Sequence, residues 1–235
     1  MKQYSNTMIN YMKHKIHIYY YISAAYMFVS LVLGLILENF LVIFLGWNMF
    51  LATFVYFIST VLVYLYKKKT RLWLLLVVLG AFILFFPNSI YMLTDFIHIQ
   101  NYTFFIDYSN IYNYSLFEWL VFAHILIGAL YAAKLGISAI INLEQIVKKY
   151  TQGYHFIILS FLFFLSSFGI FLGRFLRFNS WNIIESITQI GMVFSHGSFL
   201  VGFVLIFFAI HWVMYFLFSN QVNRNQNIKL LEDKK

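Results

Sequence analysis

The chain has 235 residues, 62% hydrophobic, 22% aromatic and only 10% charged, with a formal charge of +8. This composition excludes a soluble domain and marks a polytopic membrane protein, because apolar runs of about 20 residues recur, each long enough to cross a hydrocarbon core of roughly 30 Å. Nucleic acid is excluded as a partner, since most Lys and Arg flank apolar runs instead of forming a basic groove, and without Cys there is neither disulfide nor thiolate metal site.

The first apolar run follows Lys13 and Lys15, as the core of a secretory signal would. It is too long for that role, lacks a small-residue cleavage site and is followed by further spans, so it reads as a retained anchor. The pattern predicts an all-α transmembrane bundle of six spans, over 18–37, 40–66, 72–93, 116–140, 154–174 and 191–218. One multi-pass membrane domain is expected over 1–235, with no soluble domain between spans.

The third span closes on Pro87, the only proline, followed by Asn88, Tyr91, Asp95 and His98. Proline removes a backbone donor and clashes with the carbonyl four residues back, so a kink is expected there. The four polar residues follow at offsets of zero, three, seven and ten, which puts them on one helical face. Beyond them, the Tyr- and Phe-rich loop from Gln100 to Tyr108 suits a segment at headgroup level.

Small residues recur at helical spacing: Gly128, Ala132 and Gly136 in the fourth span, Ser166, Gly169 and Gly173 in the fifth, and Gly191, Ser195, Ser198 and Gly202 in the sixth. In lipid such stripes let helix backbones approach closely, and helix packing is their expected role. The fifth span ends in Arg174 and Arg177, three residues apart, so both guanidinium groups are expected to point the same way. After them, Asn182 with Glu185 three residues on predicts a short interfacial helix before the last span.

Fourteen of the 16 Lys and Arg fall on one side of these spans, which predicts cytoplasmic N and C termini in a cell membrane. Arg174 and Arg177 are the two exceptions, and they emerge on the same side as Asp95 and His98 because the third and fifth spans run in the same direction. The second span, entering from that side, adds Trp47 and Asn48 about two turns in.

Three segments carry a resemblance. Pro-Asn-x-x-Tyr-x-x-Thr-Asp-x-x-His at Pro87 to His98, Gly-Arg-x-x-Arg-x-Asn-Ser-Trp at Gly173 to Trp181, and Trp-Asn-x-Phe-Leu-Ala at Trp47 to Ala52 are similar to a family of prokaryotic integral membrane proteins, domain-of-unknown-function family 1361. The resemblance runs from the second span to the start of the sixth. It implies a multi-pass membrane fold and no established activity. The chain departs from the family pattern at Asn182, where an Asp is usual, and at Ile90, where a second Pro is frequent.

The candidate site is therefore Asn48, Asn88, Tyr91, Asp95, His98, Arg174, Arg177, Asn179 and Trp181. Two guanidiniums suit a phosphate or carboxylate, such as an anionic lipid headgroup or a polyprenyl-phosphate carrier, with Asp95 and His98 as candidate acid and base. Under a purely structural reading, Asp95 pairs with Arg174 and pins the third span to the fifth, in an accessory subunit with membrane-protein partners. A metal reading takes Asp95 and His98 with His124 or His196. A small-solute transporter is a further alternative, with Pro87 as the helix break. No cofactor is named by the pattern.

Overall fold

The computed structural model describes residues 2–106, 111–151, 154–177 and 197–232, with side chains over 18–106, 111–148, 154–177 and 197–219. The order is α1 (Lys2–Ile36), α2 (Phe40–Lys67), α3 (Leu72–Phe85), α4 (Pro87–Tyr91), a 3-10 segment (Met92–Asn101), α5 (Leu116–Thr151), α6 (His155–Phe175) and α7 (Gly197–Glu232). No strand occurs among the described residues, only an isolated antiparallel bridge between Phe105 and Tyr112 in the loop after the 3-10 segment. Among the described residues, six stretches are long and apolar enough to cross a membrane: Ile18–Ile36, Phe40–Lys67, Leu72–Asn101, Leu116–Lys148, His155–Phe175 and Gly197–Ser219.

Two expected boundaries move. The third span does not end at residue 93 but continues as the 3-10 segment to Asn101, because its polar residues find partners inside the bundle. The fourth runs past residue 140 to Lys148, since Asn142 reaches Ser59 on α2 and Glu144 is buried. The sixth is described from Gly197, and the interfacial helix expected over 182–189 lies outside the described residues.

Helices α5 and α2 form the centre: 56% and 50% of their most apolar stretches are buried, against 22% for the third span and 28% for α1 and α7. Leu45, Met49, Ala52 and Val55 of α2 interlock with Ile125, Ala129, Ala132 and Leu135 of α5. Three helices end on a left-handed residue two positions beyond their last: Glu38 (φ 50°), Lys69 (φ 52°) and Arg177 (φ 57°). After α1 and α2 this turn is closed by Asn39 N–H to Gly34 O (2.9 Å) and Thr70 N–H to Leu65 O (3.2 Å), which satisfies carbonyls the helix end leaves free.

The small-residue stripes of the fourth and fifth spans grip the kink. A Cβ at Gly136 of α5 would lie 2.7 Å from Ser89 Cβ, and one at Gly169 of α6 would lie 2.9 Å from Pro87 Cγ, so α4 is wedged between two helices that have no side chain there. In the sixth span the expectation fails for the described residues: Ser198 is exposed and nothing lies within 4 Å of a Cβ at Gly202. Its register turns these positions outward; Gly191 and Ser195 lie outside the described residues.

Gly136→Val is accordingly expected to overpack the kink and destabilise the protein by about 1–3 kcal/mol. Gly80→Val, where nothing lies within 4 Å, is the control and is expected to be neutral. Thermal unfolding in detergent, followed by size-exclusion chromatography, separates the two.

Candidate functional site

The site begins with the break at Pro87. Phe86 N–H still donates to Phe82 O (2.8 Å), but Ser89 N–H donates only three residues back, to Phe86 O (3.1 Å), while Asn88 Nδ2 donates to Phe85 O (2.9 Å). Asn88, expected on the site's face, thus serves the kink. From Met92 the chain winds with three residues per turn, so side chains three apart stack directly over one another. Met92, Asp95 and His98 make one row, and Tyr91, Thr94 and Ile97 the next.

Those two rows meet α2 on one side and the end of α6 on the other. Asp95, with a side chain 1% exposed, accepts from Asn48 Nδ2 at Oδ2 (2.8 Å) and from Arg174 Nη2 at Oδ1 (2.6 Å). Arg174 Nε donates to Thr94 Oγ1 (2.8 Å), and Nη2 reaches the same oxygen. Thr94 can accept both because its own proton goes to Tyr91 O (2.6 Å). The guanidinium carbon lies 4.7 Å from the Tyr91 ring centroid, a cation–π contact.

His98 closes the exposed edge. Its Nε2 lies 3.5 Å from Arg174 Nη1 and 4.0 Å from Asp95 Oδ1. Since arginine only donates, Nε2 accepts in this arrangement and the ring proton sits on Nδ1. The side chain of Arg174 is 17% exposed and that of His98 33%, so the cluster opens to the surface at the His98 edge.

Of the expected site residues, Asn48, Tyr91, Asp95, His98 and Arg174 come together. Arg177 does not join them: α6 ends at Phe175, and the left-handed backbone at Arg177 throws its exposed side chain off the helical face that Arg174 occupies. Trp47 is 47% exposed and stacks on Phe50, so it faces away. Asn179 and Trp181 lie outside the described residues. Thr94, absent from the expected site, is a full member because the 3-10 winding sets it directly over Tyr91.

The metal reading finds no support among the described residues, where no group of three potential ligands occurs. His124 is occupied: its ring stacks on Tyr26 with centroids 4.4 Å apart, and Nε2 lies 2.8 Å from Ser30 Oγ, whose proton goes to Tyr26 O. His196 lies outside the described residues. His211 is buried between the rings of Phe86 and Phe163, with Nδ1 2.7 Å from Phe207 O and Nε2 2.9 Å from Ser166 Oγ. It joins α7 to α6.

His155 is largely buried, 3.6 Å from Glu144 Oε1, and that oxygen accepts from Tyr215 OH (2.8 Å) and lies 2.8 Å from Lys148 Nζ. One buried carboxylate therefore gathers α5, α6 and α7. The sequence shows Glu144 with Lys148 four residues on in the same helix, but its other partners, His155 and Tyr215, come from two other helices.

Six apolar helices enclosing an ion pair near one end define a multi-pass helical membrane protein. Residues 47–217 match the family described as Protein of unknown function (DUF1361), and the chain belongs to it. The match runs from Trp47 on α2 to Leu217 on α7, so it contains the whole Asn48–Asp95–Arg174 cluster and leaves α1 outside. Neither a curated protein nor a solved structure matches the chain.

Proposed function

We propose that the protein binds a phosphate-bearing lipid headgroup, of a phospholipid or a polyprenyl-phosphate carrier, at the outer face of the cell membrane, with both termini in the cytoplasm. The distribution of cations supports that orientation. The reading rests on one observation: at the Arg174 end two arginines lie three residues apart, one held rigidly by Asp95, Thr94 and Tyr91, the other exposed beyond the helix end. Asp95, with both oxygens engaged, orients Arg174 and is not a free base. Any proton transfer at the site falls to His98, whose side chain is 33% exposed.

A second reading is favoured by that same saturation. Each of the three guanidinium nitrogens of Arg174 already has a partner, which fits a lock between the third span and α6 in a structural subunit of a membrane assembly.

The two separate in one experiment: native mass spectrometry of the protein extracted with its lipids. Under headgroup binding, Arg177→Gln and His98→Gln lower retention of anionic lipid several-fold while the folded yield holds. Unchanged retention in both variants sinks the proposal and leaves the lock.

A further inference from the structure

On the side of α6 turned away from the ion pair, a groove of about 380 Å³ runs between α6 and α7. Its lining is wholly apolar, with Phe164, Leu165 and Phe168 on one wall and Leu200, Val201 and Leu205 on the other. Val201 and Leu205 are exposed, so the groove opens toward lipid. At its upper end, Phe168 and Leu200 share a cluster with Leu176, the residue next to Arg177.

The vertical dimension selects the occupant. Along the α6 axis Phe168 and Phe164 lie nine and thirteen residues below Arg177, roughly 14 and 20 Å at 1.5 Å per residue. One leaflet, headgroup layer included, is half of a bilayer of roughly 40–45 Å. A lipid whose phosphate sits at the level of Arg177 therefore brings the distal half of one hydrocarbon chain to the groove. Arg177 supplies the charge complement, since it takes no part in the Asp95 pairing and is exposed.

We infer that the protein holds one phosphate-bearing lipid in two places at once, the phosphate at Arg177 and one linear hydrocarbon chain in the groove between α6 and α7. This rests on the headgroup reading and adds the chain site to it. A soluble phosphate would use the first contact only.

The test is lipid retention by the full-length protein in detergent, loaded with phosphatidylglycerol or phosphatidylcholine and read by native mass spectrometry. The wild type is expected to retain phosphatidylglycerol about tenfold better, because the choline cation of phosphatidylcholine offsets the phosphate charge that Arg177 meets. Arg177→Gln removes that preference. Leu205→Trp, which fills the groove from its exposed rim, lowers retention of both lipids several-fold, and Val201→Trp does the same should Leu205→Trp reduce folded yield.

If the groove variants retain both lipids normally while Arg177→Gln still abolishes the preference, the chain site is overturned and the headgroup reading stands. If Arg177→Gln has no effect, the headgroup reading falls and the inference with it. Displacement of phosphatidylglycerol by millimolar inorganic phosphate, dependent on Arg177, would identify a soluble anion and overturn the lipid assignment.

Discussion

Asp95→Ala is expected to cost about 3–5 kcal/mol, the range for removing one partner of a buried ion pair. The substitution strands two groups. Arg174 keeps its charge in a site where its side chain is only 17% exposed, and Asn48 loses the acceptor for Nδ2. Asp95→Asn is nearly isosteric but fares little better, because an amide has one accepting oxygen for two donors and points its own NH2 at another. The double variant Asp95→Leu with Arg174→Met, which leaves no charge to bury, is expected to recover most of the loss. Thermal unfolding in detergent measures all three. Equal stability of Asp95→Ala and wild type would mean that the pair holds nothing together.

That pair was legible in the sequence for a physical reason. Charges are rare within apolar spans, and counting spans fixes which of them share an end, so Asp95 and Arg174 had few alternatives to each other. The number and type of helices were legible from the length of the apolar runs. What escaped depended on backbone geometry that residue spacing does not encode. The 3.6-residue reading of the third span's end missed the 3-10 winding that recruits Thr94. It also carried Arg177 along the helix, past the left-handed turn that removes it.

Contacts between distant helices were the other blind spot. Gly202 has the spacing of a packing residue, yet its register turns it away from any neighbour, and nothing around His155 in the sequence points to Glu144 beside it. A stripe or a lone histidine reports what a helix offers. Only the neighbouring helix decides whether it is used.

Glu144→Ala is expected to produce the second large loss, about 2–4 kcal/mol, at the other end of the bundle. His155 and Arg174 lie nineteen residues apart on α6, roughly 28 Å along its axis, close to one hydrocarbon thickness. The two carboxylates therefore sit near opposite interfaces, where a charged pair costs least. Removing Glu144 leaves the Tyr215 hydroxyl without its acceptor and cuts the contacts that tie α5 to α6 and α7. Lys148 suffers less, because its side chain is 50% exposed and can turn to water. The order of effects follows: Glu144→Ala should lose most, Glu144→Gln less, since its carbonyl still accepts from Tyr215, and Lys148→Ala least, below about 1 kcal/mol. If Lys148→Ala matched Glu144→Ala in thermal unfolding, the exposed ion pair would be what joins these helices, and the buried tyrosine and histidine contacts would contribute nothing.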